Sequence, residues 1–96
     1  MHAVVRTYSG AGAKALFDLL EKRKADVESV MRAVPGFVSY TLIRGENGGA
    51  SVTVCKDKGG TDKSISAAKE WIQKNAANTG APAPSVVDGT VVLHLK

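Results

Sequence analysis

A chain of 96 residues and 10.0 kDa has room for one core, because independent domains come at about one per 100 to 200 residues; a second domain is excluded. Its 44% hydrophobic and 23% charged residues are too apolar for a disordered chain and too polar for a membrane protein. The net charge of +4 is scattered, with only Lys22, Arg23 and Lys24 consecutive and no basic stripe interleaved with aromatics, so nucleic acid is not an expected partner.

Aromatics are only 5% of the chain, which makes the expected core aliphatic. A chain of this size buries about 60 to 70% of its unfolded surface, so it is marginally stable without a partner. The single cysteine, Cys55, excludes an intrachain disulfide and any multi-cysteine metal site, and fits a reducing compartment. The start of the chain runs directly into Ala3-Val4-Val5 without a basic leader or apolar signal core. No apolar run approaches the roughly 18 residues a bilayer span needs, so a cytoplasmic location without membrane contact is the expectation.

The β-branched and aromatic run Ala3–Tyr8 predicts a first strand, ended by Ser9-Gly10. From Gly12 the period changes. Ala13, Leu16, Phe17, Leu20, Val27, Val30, Met31 and Val34 recur at helical spacing, which predicts one long amphipathic helix stopped by Pro35-Gly36. Arg23 and Lys24 interrupt the apolar stripe, and a bend is expected there. Phe37–Ile43 reads as a second strand, Glu46-Asn47-Gly48-Gly49 as a hairpin turn and Ala50–Cys55 as a third strand. Lys56–Gly60 reads as a polar break, after which Thr61 is the expected cap of a second helix. Ile65, Ala68, Ile72 and Ala76 share one face of that helix, with Trp71 and Asn75 along its edge. Asn78, Gly80, Pro82 and Pro84 end it, and Val86–Leu95 is expected as a long last strand.

The order β-α-β-β-α-β predicts an α+β, ferredoxin-like subunit spanning residues 1–96, with an antiparallel four-stranded sheet carrying both helices on one face. Ser51, Thr53 and Cys55 alternate against Val52 and Val54 and are expected on the open face, where small side chains permit a second sheet to approach. The last strand is apolar on both faces, so both are expected to be covered, the open one by a second copy of the chain.

The Pro35-Gly36-Phe37 step, the Ser51-Val52-Thr53-Val54 strand, the Ser66–Trp71 helix and the closing valine-rich strand together resemble the dimeric α+β barrel superfamily. The likeness spans essentially the whole chain and is nearest to antibiotic-biosynthesis-monooxygenase-like proteins. It implies a homodimer with a cleft in each subunit between sheet and helices. Haem-degrading members carry a first-strand asparagine and a helical-layer tryptophan and histidine. Trp71 can match that tryptophan, but the first strand offers Arg6 and Tyr8, and the only histidines, His2 and His94, stand at the two ends. Haem oxygenation is therefore not expected. Cofactor-free oxygenation of aromatic or quinol-like compounds stays compatible, since the deprotonated substrate itself gives an electron to oxygen.

The candidate ligand-binding residues are Trp71, Tyr8, Tyr40, Arg6 and Asn75. Trp71 is a ligand wall or the largest piece of core; Asn75 orients a ligand or contacts backbone. Tyr8 and Tyr40 offer phenol donors to a cleft or sit half-buried with satisfied hydroxyls. Arg6 shares a face with Val4 and Tyr8, where a guanidinium binds a carboxylate or phenolate, unless it pairs with an acidic side chain or lies at the sheet margin. Cys55 has a cation beside it but no histidine, and reads as a buried filler. The segment Gly10-Ala11-Gly12-Ala13-Lys14 fails the spacing of both phosphate-binding glycine motifs. No histidine or carboxylate pair has metal-ligand spacing, so neither a metal nor a cofactor is expected. An enzyme and a non-catalytic dimeric binding or scaffold protein with a filled cleft both remain open readings.

Overall fold

The computed structural model describes all 96 residues. Strand β1 (His2–Ser9) buries Val4, Arg6 and Tyr8 on one face, as alternation requires. Helix α1 (Ala13–Lys22) buries Ala13, Leu16, Phe17 and Leu20, and helix α2 (Lys24–Arg32) buries Val27 and Met31. The long helix expected from the sequence is thus two, broken at Arg23 (φ −111°, ψ 32°) where the stripe is interrupted. The break costs little hydrogen bonding. Arg23 N–H donates to the Leu19 carbonyl at 2.9 Å, while its own carbonyl accepts from Val27 at 3.1 Å.

Strands β2 (Phe37–Gly45) and β3 (Gly48–Cys55) form a hairpin closed by the Gly45/Gly48 pair, leaving Glu46-Asn47 as the two-residue turn. A bulge at Val38 shifts the register between Phe37 and Ser39. It puts Phe37 and Tyr40 on the same, helix-covered face, where plain alternation would separate them. The sheet order is β2-β3-β1-β4, every pairing antiparallel, and the helices cover one side of it. This is the expected ferredoxin-like arrangement, elaborated to β-α-α-β-β-α-β.

Three local expectations are corrected. Helix α3 (Lys58–Asn75) begins before Thr61, because the Asp57 carboxylate accepts from Gly60 N–H at 3.1 Å and caps it. Gly59-Gly60 is not a break. A Cβ on Gly60 would lie 2.5 Å from the Pro35 carbonyl oxygen and 2.8 Å from Cys55 Cβ, so the glycine allows α3 to rest directly on β3.

That close approach also explains the second correction. Ser51, Thr53 and Cys55 face the helices, at 1%, 1% and 0% exposure, rather than the open side, because β1 pairs Arg6 with Ser51, Val4 with Thr53 and His2 with Cys55. Small side chains there make room for Thr61 and Ser64 of α3, which are equally buried. The open face instead carries Val5, Ile43, Val52 and Val87, of which Ile43 and Val87 are exposed.

The third concerns β4, which spans Ser85–Thr90 and not Val86–Leu95. Its neighbour β1 begins at His2, paired with Thr90; the Val91 N–H reaches the Met1 carbonyl at 3.0 Å, and beyond it the subunit has no strand left to pair. Val92, Leu93 and Leu95 are consequently exposed.

Candidate functional site

Between the helix layer and the sheet lies a narrow cavity of about 30 Å³ whose walls include Arg6 and Tyr8 from β1, Tyr40 from β2, Ser51 from β3, Met31 from α2 and Trp71 from α3. It adjoins two wider clefts. One of about 340 Å³ opens between α1, α2 and β2 and shares Leu20, Met31 and Tyr40 with it. The other, about 430 Å³, opens between α3, the 81–84 segment and β4, and shares Arg6, Tyr8 and Ile72 with it. Each cleft is of ligand size, whereas the inner cavity has room for little more than water.

Each side chain is placed for a legible reason. Alternation in β1 puts Arg6 and Tyr8 under the helices, and the unbroken register of β2 on β3 from Gly45/Gly48 to Tyr40/Thr53 puts Tyr40 on the same face. Tyr8 meets Phe17 edge-on with ring centroids 5.9 Å apart. Trp71 leans over the cavity from α3, half-buried, with the Arg23 guanidinium 5.7 Å from its ring centroid. Asn75 does not line the cavity. Its amide donates to the Trp71 carbonyl at 3.0 Å and its oxygen accepts from Arg23 Nη1 at 3.4 Å, so it ties the ends of α3 and α1 together around the indole.

Arg6 fits neither structural role foreseen for it. It is 4% exposed and enters no ion pair. Its Nε donates to Ser51 Oγ at 3.4 Å, and its guanidinium is also a hydrogen-bond partner of the Tyr40 phenol. Burial pushes both neighbouring phenols up from the ordinary tyrosine value of 10.0, while the positive charge of Arg6 pulls each of them back. Hydrogen bonds with the Ser51 hydroxyl and with Arg6 itself add to that pull on Tyr40. At neutral pH both phenols are protonated donors beside a fixed cation.

The remaining expectations fall away from this centre. His2 lies at the far end of β1 against Asp88, 3.3 Å away, and His94 stands in the exposed C-terminal segment. Cys55 is fully buried, with its thiol pushed up from 9.0 by that burial, as a filler would be. Ser51, expected on the open face, lines the cavity instead, and Lys69 and Gln73, which are not among the sequence candidates, line an outer cleft. The Arg6/Ser51 pairing follows from counting back from the hairpin once β3 is set against β1; Lys69 and Gln73 carry no local signal. No group of three or more potential metal ligands is present. No helix is long and apolar enough to cross a membrane.

No family model matches the chain, and no curated protein matches it by sequence. Solved structures do. The chain superposes on the haem-degrader MhuD of Mycobacterium tuberculosis with a TM-score of 0.65 and 23% identity, covering 99% of this chain and 98% of that one. A monooxygenase from the gene ActVA-Orf6 of Streptomyces coelicolor, in complex with nanaomycin D, gives 0.64 and 22% over 99% and 90%. A dimeric ferredoxin-like protein from an uncultured marine organism gives 0.68 and 13% over 99% and 95%. At these identities the likeness is one of fold, and that fold is the ferredoxin-like arrangement of a four-stranded antiparallel sheet under helices.

Proposed function

We propose that the protein is a homodimeric small-molecule-binding protein that acts as a cofactor-free monooxygenase on aromatic or quinol-like compounds. The observation that carries this reading is the convergence of Trp71, Tyr8, Tyr40 and Arg6 on one cavity between sheet and helices. Apolar walls with a few placed donors are what an oxygenation needs when the substrate supplies the electrons itself. Trp71 offers a face for a planar ring, and the two phenols and Arg6 offer hydrogen bonds to its oxygens. Asn75 acts on this site only through Trp71. The superposed ActVA-Orf6 monooxygenase and SnoaB, a cofactor-independent oxygenase from Streptomyces nogalater, support the same class by analogy of fold.

Pairing of two copies through the open sheet face is part of this reading. Val87 is 72% exposed and Ile43 52%, and the segment after β4 leaves Val92 at 95%. Such a surface is better explained as an interface than as a solvated face. A reducing, cytoplasmic setting agrees with the unpaired, buried Cys55.

The test is oxygen uptake over a panel of quinols and hydroxylated aromatics, comparing the wild-type chain with Trp71→Ala. Uptake with at least one quinol, lost in Trp71→Ala, is expected. The inner cavity of only about 30 Å³ favours a second reading, a non-catalytic dimeric binding or scaffold protein whose cleft its own side chains fill. Absence of uptake across the panel, or uptake indifferent to Trp71, selects that reading.

A further inference from the structure

Arg6 is only 4% exposed as a residue and has no carboxylate partner, which is a costly arrangement for a small protein, because a buried charge is tolerated best when an opposite charge pairs it. An arginine cannot shed its proton to escape that cost. The polar neighbours of Arg6 are neutral hydroxyls: Ser51 Oγ accepts from Nε at 3.4 Å, and the Tyr40 phenol is a second hydrogen-bond partner. The same arginine walls both the inner cavity and the cleft of about 430 Å³ between α3, the 81–84 segment and β4. The charges lining that cleft are Arg6 within and Lys69 at its rim, and no carboxylate stands among them. The cleft on the other side differs. Glu21 and Glu28 line it, engaged by Arg44 and Arg32, so carboxylates offset most of its cations and Lys24 alone is without an ion-pair partner.

We propose that the cleft between α3 and β4 takes an organic anion, an aromatic carboxylate or an ionised phenol, whose oxygens complete the coordination of Arg6. The inference rests on the reading of the protein as a binder of small aromatic molecules and adds to it the charge of the ligand and its side of entry. The geometry is suited to such a molecule. Ile72, Ala81, Pro82 and Pro84 line the cleft for the hydrocarbon body, the planar guanidinium matches a carboxylate in bidentate fashion, and Tyr8, protonated at neutral pH, stands beside Arg6 as a second donor. Lys69, exposed at the rim, draws the anion toward the correct mouth. For a quinol, the same cation favours the ionised form, the one from which an electron passes to oxygen.

The probes are 2-naphthoate and its neutral counterpart 2-naphthamide, titrated calorimetrically and by quenching of Trp71, the only tryptophan. Naphthoate is expected to bind more tightly than naphthamide, with an affinity that falls as salt is added. Arg6→Gln is expected to weaken naphthoate by about tenfold or more, the loss typical of a charge-assisted hydrogen-bonded pair, and to leave naphthamide within about twofold. Naphthoate should raise the melting temperature of the wild-type protein and not that of Arg6→Gln. The variant itself should melt no lower than wild type, since it removes an unpaired buried charge. Should it fail to fold, Lys69→Gln at the exposed rim must still weaken naphthoate selectively. Equal binding of the two probes, or an equal effect of the substitutions on both, overturns the anion site and leaves the small-aromatic reading standing. Binding of neither probe overturns both.

Discussion

The guanidinium of Arg23 lies 5.7 Å from the Trp71 ring centroid, which sets the break between α1 and α2 against the ring that walls the cavity. The same side chain bonds Asp26 in the following turn and reaches Asn75 at the end of α3. One residue therefore holds two helices and an indole in register. Replacing Arg23 by Ala should cost about 0.5 to 1 kcal/mol, the usual worth of a partly exposed cation–π contact. It should also shift Trp71 emission to the red as the ring gains water. Unchanged emission in a folded Arg23→Ala protein would show that α3 alone positions the ring.

Close contact between α3 and β3 makes a sharper stability prediction. Gly60→Ala places a methyl group 2.5 Å from the Pro35 carbonyl oxygen and 2.8 Å from Cys55 Cβ, and should destabilise by about 1 to 3 kcal/mol, the range for overpacking. Gly59→Ala, whose new methyl meets only the end of Asp57 at 3.3 Å, is the control and should cost much less. Denaturant unfolding of the two variants decides it.

Alkaline pH should expose the cost of burying two phenols. Tyr8 and Tyr40 are raised above the unfolded value of 10.0, chiefly by burial, so the folded chain holds these protons more tightly than the unfolded one. Their contribution is complete below about pH 10 and is lost as pH rises through the higher folded values. The denaturation midpoint should therefore fall above about pH 10, and the fall should be smaller in Tyr8→Phe/Tyr40→Phe. An equal fall in that variant would assign the loss to other groups.

The thiol of Cys55, buried and raised above 9.0, should react with an aromatic disulfide reagent only as fast as the protein unfolds globally. Labelling in native conditions at a rate independent of added stabilising ligand or salt would contradict its placement under α3.

Assembly is open to a direct measurement. Sedimentation at micromolar concentration should return twice the 10.0 kDa of the chain, and Ile43→Lys/Val87→Lys on the open face should shift it toward monomer. A wild-type monomer with the fold intact would remove the homodimer.

Strand alternation, helical spacing and turn residues were enough to read the element order, the sheet and the bend at Arg23. They failed where tertiary contact decides. Whether Ser51, Thr53 and Cys55 face inward depends on β3 being set against β1 and on how closely α3 approaches, neither of which is local. The end of β4 depends on where its neighbour starts, not on Val91–Leu95 themselves. At the site, the shared face of Arg6 and Tyr8 was legible from parity. Tyr40 joins them by plain alternation from the Gly45/Gly48 end of the hairpin, while the bulge at Val38 decides only the face of Phe37; that Arg6 has no carboxylate partner could not be read from a sequence in which carboxylates are plentiful.

Arg6 is carried by β1, which is hydrogen-bonded to β3 on one side and β4 on the other. Interior strands are commonly among the last elements to open, so their amides exchange near the rate set by global unfolding. Local breathing therefore offers a ligand no route to the guanidinium through β1, and traffic is confined to the gaps between side chains on the helix side. Substitution of those side chains can then alter how fast molecules come and go while leaving the strand that holds the charge undisturbed.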